Sequence, residues 1–195
     1  METMMRFKAL SLCAAAALAL AAALPAQAAI VNGGFETGDF SGWTVAGDTG
    51  YTGVDAFAAN SGSYGAFFGE ERPGSSIEQT FATTAGASYL IEFWLQLDDS
   101  AVPNSFSWSW DGVSQALLID ESAFGYTHFS GVVTATSSLS TLRFDVMNEQ
   151  SFFLLDDVSA SMQVPEPASA ALALIAFAAM GAGVTTRRRR SASTA

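Results

Sequence analysis

The sequence predicts an all-β domain, an antiparallel β-sandwich, set between two apolar helical termini. Three observations predict it. Residues 29–163 contain no long stretch with a 3.6-residue apolar period, short segments there alternate apolar and polar residues, and clusters of Gly, Ser, Thr and Asn separate those segments. By contrast, Ala9 to Leu24 and Ala168 to Val184 are almost free of charge. The 195 residues therefore divide into a domain of ordinary size and two end segments with separate roles.

At the N-terminus, Met1 to Lys8 is short and basic, Ala9 to Leu24 is apolar, and Ala26-Gln27-Ala28 places small residues where signal peptidase needs them. This predicts a secretory signal peptide over residues 1–28, cut after Ala28. A buried N-terminal helix is the alternative, but the run has no polar face and breaks at Leu24-Pro25. A lipoprotein signal is rejected because Leu12 precedes Cys13 where a small residue is required.

Within the middle region, strands are predicted over Ser63 to Phe68 and Ser76 to Phe81. The next, Tyr89 to Leu97, puts Ile91, Phe93, Leu95 and Leu97 on one face and Glu92, Trp94 and Gln96 on the other, the pattern of a half-buried strand. In Ser105 to Trp110 three serines alternate with Phe106, Trp108 and Trp110 before an Asp111-Gly112 turn, which predicts a hairpin into Ala116 to Ile119. His128 to Ala135, Thr141 to Met147 and Phe152 to Met162 complete about eight strands. Two packed antiparallel sheets, as in a jelly roll, accommodate them. A parallel β-solenoid would show a repeated motif, and none is present. The 15 Phe and four Trp of the chain supply ample core material.

At the C-terminus, Pro165-Glu166-Pro167 leads into the uncharged, largely apolar 17-residue run Ala168 to Val184 and then Arg187, Arg188, Arg189 and Arg190. As a helix the run would extend roughly 26 Å, near the short limit for crossing a hydrocarbon core. The arginines would stay cytoplasmic and the middle region outside. The prolines hold the entry segment extended, as suits a protease groove. A plain membrane anchor is the other reading.

Charge narrows the functions. Residues 29–163 carry 17 acidic against two basic side chains, Arg72 and Arg143, a net −15. That excludes a phosphate-tracking nucleic-acid binder and favours solubility and cation capture. Cys13 lies in the signal segment, so the domain can form neither a disulfide nor a thiolate metal site. His128 is the only histidine, which excludes a multi-His zinc centre. No Gly-x-Ser-x-Gly elbow or phosphate loop occurs, and the acidic pairs Glu70-Glu71, Asp98-Asp99, Asp120-Glu121 and Asp156-Asp157 are adjacent rather than placed across a substrate. No catalytic residue is assigned, although a spatial carboxylate pair would make an enzyme acting on polysaccharide the third reading.

Pro165-Glu166-Pro167, the apolar helix 168–184 and the arginine cluster resemble the PEP-CTERM sorting signal of Gram-negative exported proteins, over residues 164–195. The resemblance implies recognition by an exosortase, a membrane protease, after export by the secretion machinery and signal peptidase. The precursor would be held in the inner membrane by its C-terminal helix and then reach the cell surface or extracellular matrix, where such proteins accompany exopolysaccharide.

A second resemblance covers the middle. Val31-Asn32-Gly33-Gly34-Phe35-Glu36-Thr37-Gly38 with Gly42-Trp43-Thr44 resembles the first strand and loop of galactose-binding-like jelly-roll modules, including carbohydrate-binding families; Asn60-Ser61-Gly62-Ser63-Tyr64 resembles their next loop and strand, Ile77-Glu78-Gln79-Thr80-Phe81 a central strand, Gly86-Ala87-Ser88-Tyr89 its successor and Leu155-Asp156-Asp157-Val158-Ser159 the last strand. The resemblance implies a structural calcium between the first and last strands. By motif position Glu36 and one of Asp156 and Asp157 would ligate it, Asp157 slightly favoured, with carbonyls near Ser61-Gly62; strand alternation lets only one aspartate reach the ion. The alternative is that these acids cap turns. For glycan, an exposed aromatic platform with polar flanks is required, and Trp94 with Glu92 and Gln96 is the best candidate. Trp43, Trp108 and Trp110 are expected to pack. The expected function is a non-enzymatic surface or matrix protein contacting exopolysaccharide; the runner-up is a purely structural component without a sugar site.

Overall fold

A computed structural model describes residues 30–69 and 74–163. The predicted signal segment, the Pro-Glu-Pro motif, the apolar run 168–184, the arginine cluster and Glu70 to Arg72 lie outside the described residues. Among those described, ten strands occur: β1 (Thr44–Gly47), β2 (Thr52–Asp55), β3 (Gly65–Phe68), β4 (Ser75–Ala82), β5 (Ser88–Leu97), β6 (Asn104–Trp110), β7 (Val113–Ile119), β8 (Phe124–Thr134), β9 (Leu139–Asn148) and β10 (Phe153–Gln163). A 3-10 turn at Ala56–Ala58 follows β2. The strands form two five-stranded sheets, ordered β1-β4-β9-β6-β7 (sheet A) and β2-β3-β10-β5-β8 (sheet B). The fold is a two-sheet antiparallel sandwich.

Side-chain alternation puts the core between the sheets. On β5 Tyr89, Ile91, Phe93, Leu95 and Leu97 are buried while Glu92, Trp94 and Gln96 are half-buried on the outer face. On β6 Phe106, Trp108 and Trp110 are buried and the three serines face outward. Phe93 is the aromatic hub: its ring lies 5.2 Å from Phe144, 5.6 Å from Phe129, 5.8 Å from Phe106 and 6.1 Å from Trp108 between centroids. Trp43, Trp108 and Trp110 belong to this core, as their faces predict. The β6–β7 hairpin turns at Asp111 and Gly112, both at positive φ (50° and 79°), which suits a two-residue turn matched to strand twist. Among the described residues, both sheets share one buried cluster that runs from Phe35 to Ala160.

Two strands exceed the sequence expectation. β1 and β2 are four residues each and show no alternation; they form because β4 and β3 offer them a pairing edge, Thr44 opposite Glu78 and Val54 opposite Ala66. Tertiary pairing, not local pattern, specifies them. The first strand that the resemblance implies at Val31 to Gly38 is not formed: among the described residues, those before β1 hold turns and no strand. There the Gln79 side-chain amide replaces a strand partner, accepting from Val31 N at 2.7 Å and donating to Val31 O at 2.9 Å.

Candidate functional site

Three surfaces carry the chemistry. The first is the segment 56–64, tied down by the acids at both ends of the domain. The 3-10 turn is capped by the Asp55 carboxylate, which accepts from Phe57 N, and it approaches β3 closely because position 65 is Gly: a Cβ there would lie 1.8 Å from Ala58 O. The Tyr126 hydroxyl on β8 donates to Ala58 O. Asp156, fully buried, accepts from Asn60 N at 2.8 Å and Ser61 N at 3.0 Å through one oxygen, and from Asp157 N at 2.7 Å through the other. Asp157 accepts from Asn60 Nδ2 at 2.8 Å and from Ser61 Oγ at 2.7 Å. Glu36 accepts from Ser63 N and Tyr64 N.

The structure thus brings Glu36, Asp156 and Asp157 around one loop, and Gly34 sits among them: a Cβ on it would lie 3.8 Å from an oxygen of each aspartate and from Glu36 Cγ. Both aspartates contact the loop, and Asp157 stands at φ of 52°, in the left-handed region, within β10. Burial chiefly pushes the Asp156 carboxyl up, against the pull of the three N–H donors, and burial followed by the charges of Asp156, Asp157 and Asp98 pushes the Tyr126 phenol up. The atoms that the three acids could offer an ion are all carboxylate oxygens, which suits a hard cation in kind. As arranged, Glu36 and Asp156 serve backbone N–H groups, and among the described residues no group of three or more acidic, imidazole or thiol side chains stands ready to hold a metal.

The second surface is the outer face of sheet B around Trp94. Its ring lies 5.3 Å from His128, its cross-strand partner, at 43°. Glu92 stands 3.2 Å from His128 Nε2, and Gln96 donates to Asp98 rather than towards Trp94. His128 is therefore a surface residue paired with a carboxylate. Trp94 and Glu92 meet through this histidine; Gln96 is engaged elsewhere.

The third surface was not legible beforehand. On the outer face of sheet A, Arg143 of β9 donates through Nε and Nη2 to Asp145 and through Nη1 to Glu78 Oε2 at 3.0 Å. Hydrogen bonding to Asp145 is the main cause that raises the guanidinium's pKa. Register places Ser109 beside Arg143 and Ser107 beside Asp145, while Leu117 and Ile119 of β7 flank Ser107 and Ser105. The short serines leave a depression of about 280 Å³ that Ala46, Ser76, Ser105, Ser107, Arg143 and Asp145 help to line. Two carboxylates on one guanidinium leave it without net attraction for anions, so the lattice suits the hydroxyls of a neutral sugar. The one signal in the sequence was an isolated arginine in an acidic domain.

Comparison with known proteins adds to this geometry. Residues 163–190 match the model of the PEP-CTERM protein-sorting motif. No curated protein matches the chain. Among solved structures, TmCBM61 in complex with beta-1,4-galactotriose is similar at 21% identity and TM-score 0.52, over 68% of this chain and 96% of that one. The CBM22-1 xylan-binding domain of Xyn10C from Paenibacillus barcinonensis is similar at 17% identity and TM-score 0.51, over 72% of this chain and 97% of that one. The enzymatically active domain of tailspike protein 4 of bacteriophage CBA120 is similar at 13% identity and TM-score 0.51, over 69% of this chain but 21% of that one. At these identities the likeness is one of fold.

Proposed function

We propose that the chain is an exported, exosortase-processed protein of the cell surface or extracellular matrix whose β-sandwich is a non-catalytic, galactose-binding-like jelly roll contacting neutral exopolysaccharide. The observation that carries this reading is the sorting motif at residues 163–190 joined to a sandwich similar to carbohydrate-binding modules. The strand order supports the jelly roll: omitting β1 and β2, consecutive strands alternate between the sheets except at the β6–β7 hairpin. Processing at Pro165-Glu166-Pro167 would follow from the motif, with Arg187 to Arg190 retained on the cytoplasmic side until cleavage.

Glycan contact is assigned to Trp94, whose half-buried ring is steadied by His128 and flanked by Glu92. The depression over Arg143 favours a second reading of the contact face, in which sugar hydroxyls meet the Glu78–Arg143–Asp145 lattice. Calcium belongs to the reading as a structural ion at Glu36, Asp156 and Asp157, which would have to turn from their present N–H partners to hold it. Of the three, Asp157 is the readiest ligand because its partners are side-chain donors that can turn away. When bound, the ion would neutralise the converging carboxylates and hold the 56–64 segment to the two ends of the domain.

A glycan array with the 29–163 fragment tests the domain's role. Selective binding to neutral polysaccharides supports it; silence across diverse glycans favours a matrix component without a sugar site, and turnover of any polysaccharide would make the domain an enzyme.

A further inference from the structure

We propose that β7 is a self-association edge, onto which the β7 strand of a second copy adds antiparallel, extending sheet A across a two-fold axis. β7 is the last strand of sheet A and, among the described residues, pairs with β6 alone. Three of its seven side chains are large, apolar and exposed: Val113 at 64%, Leu117 at 58% and Ile119 at 59%. Val132, on the last strand of sheet B, is exposed to 64%, and a groove of about 280 Å³ lined by Trp110, Asp111, Val113, Gln115 and Val132 runs between these two edges. An unpaired edge presents free N–H and C=O groups to other chains, and proteins ordinarily protect it with lysine, proline or inward charge. β7 reads Val-Ser-Gln-Ala-Leu-Leu-Ile and carries none of these. Its one protective irregularity, the register shift between Trp108 and Ser109, leaves Ala116 to Ile119 regular.

Charge selects the occupant. The domain's net −15 makes two copies repel wherever acids meet, yet neither Val113–Ile119 nor Phe124–Thr134 contains an Asp, Glu, Lys or Arg. Asp111 before β7 and Asp120 and Glu121 after it bracket this uncharged stretch, so two acidic copies can approach along the strand itself and not over its ends. A basic partner would be drawn to the acids elsewhere, and an acidic one finds no base here. The strand also matches itself: a two-fold axis at Leu118 sets Leu117 opposite Ile119 of the second copy and Ile119 opposite Leu117, apolar pairs on one face as antiparallel pairing requires. Glycan binding is not needed for this contact.

Sedimentation velocity of residues 29–163 over a concentration series tests it, beside amide hydrogen exchange. The wild type should approach twice the monomer mass as concentration rises, with protection growing at Ala116 to Ile119. Leu117→Lys and Ile119→Lys should hold the protein at the monomer mass, Ile119→Thr should weaken association while keeping strand propensity, and Leu139→Lys, at an equally exposed site off this edge, should behave as wild type. A wild type that stays monomeric to millimolar concentration, or a dimer that survives both lysine substitutions, would overturn the proposal.

Discussion

Asp156 accepts hydrogen bonds from the backbone N–H groups of Asn60 and Ser61, residues 96 and 95 positions earlier in the chain, and so fastens the 56–64 segment to β10. Its carboxylate is buried and its other oxygen takes Asp157 N. Asp156→Ala leaves three N–H groups without their acceptor and should cost about 3 kcal/mol of stability. Asp157→Ala removes only side-chain partners and should cost about 1 kcal/mol. Urea unfolding of both variants checks the ranking; equal losses would contradict it.

Calcium should raise the midpoint of thermal unfolding at millimolar concentration, and Asp157→Asn should abolish that rise while leaving the calcium-free midpoint close to wild type. Scanning calorimetry with and without chelator checks it. An unchanged wild-type midpoint would leave the acids as loop clamps alone.

Tyr126 makes stability depend on alkaline pH. Its phenol is raised above the ordinary 10.0, so above that pH the folded state holds a proton that the unfolded chain has lost. The unfolded state then binds fewer protons, and stability falls as pH rises beyond 10. Tyr126→Phe should flatten this decline in urea midpoints measured from pH 8 upward; an identical decline in the variant would refute it.

Gly131 on β8 exists for Trp108: a Cβ there would lie 2.7 Å from Cζ2 of the indole. Gly131→Val, though favourable to a strand by propensity, should destabilise by about 2 kcal/mol through overpacking and perturb the near-ultraviolet dichroism of the tryptophans. Retained stability would show that the indole can move aside.

The long strands were legible because burial alternates with a period of two: Ile91, Phe93 and Leu95 announce the inner face of β5 whatever the strand pairs with. β1 and β2 were not, since four residues with Gly47 or Gly53 among them acquire their conformation from β4 and β3. The acids Glu36, Asp156 and Asp157 could be placed near one loop from the resemblance of their motifs, but the left-handed backbone of Asp157 has no local signal. Arg143 was visible as one of the domain's two arginines, yet its partner Glu78 stands 65 residues away and only strand register joins them.

Trp94 bears the central claim, and affinity electrophoresis of residues 29–163 through gels containing neutral galactan or xylan tests it most directly. The wild type should be retarded, Trp94→Ala should migrate as in a gel without polysaccharide, and Arg143→Ala should reveal how much of the retardation belongs to sheet A. Migration of the wild type unaltered by any neutral polysaccharide would contradict the account; retardation undiminished in Trp94→Ala would move the contact off sheet B.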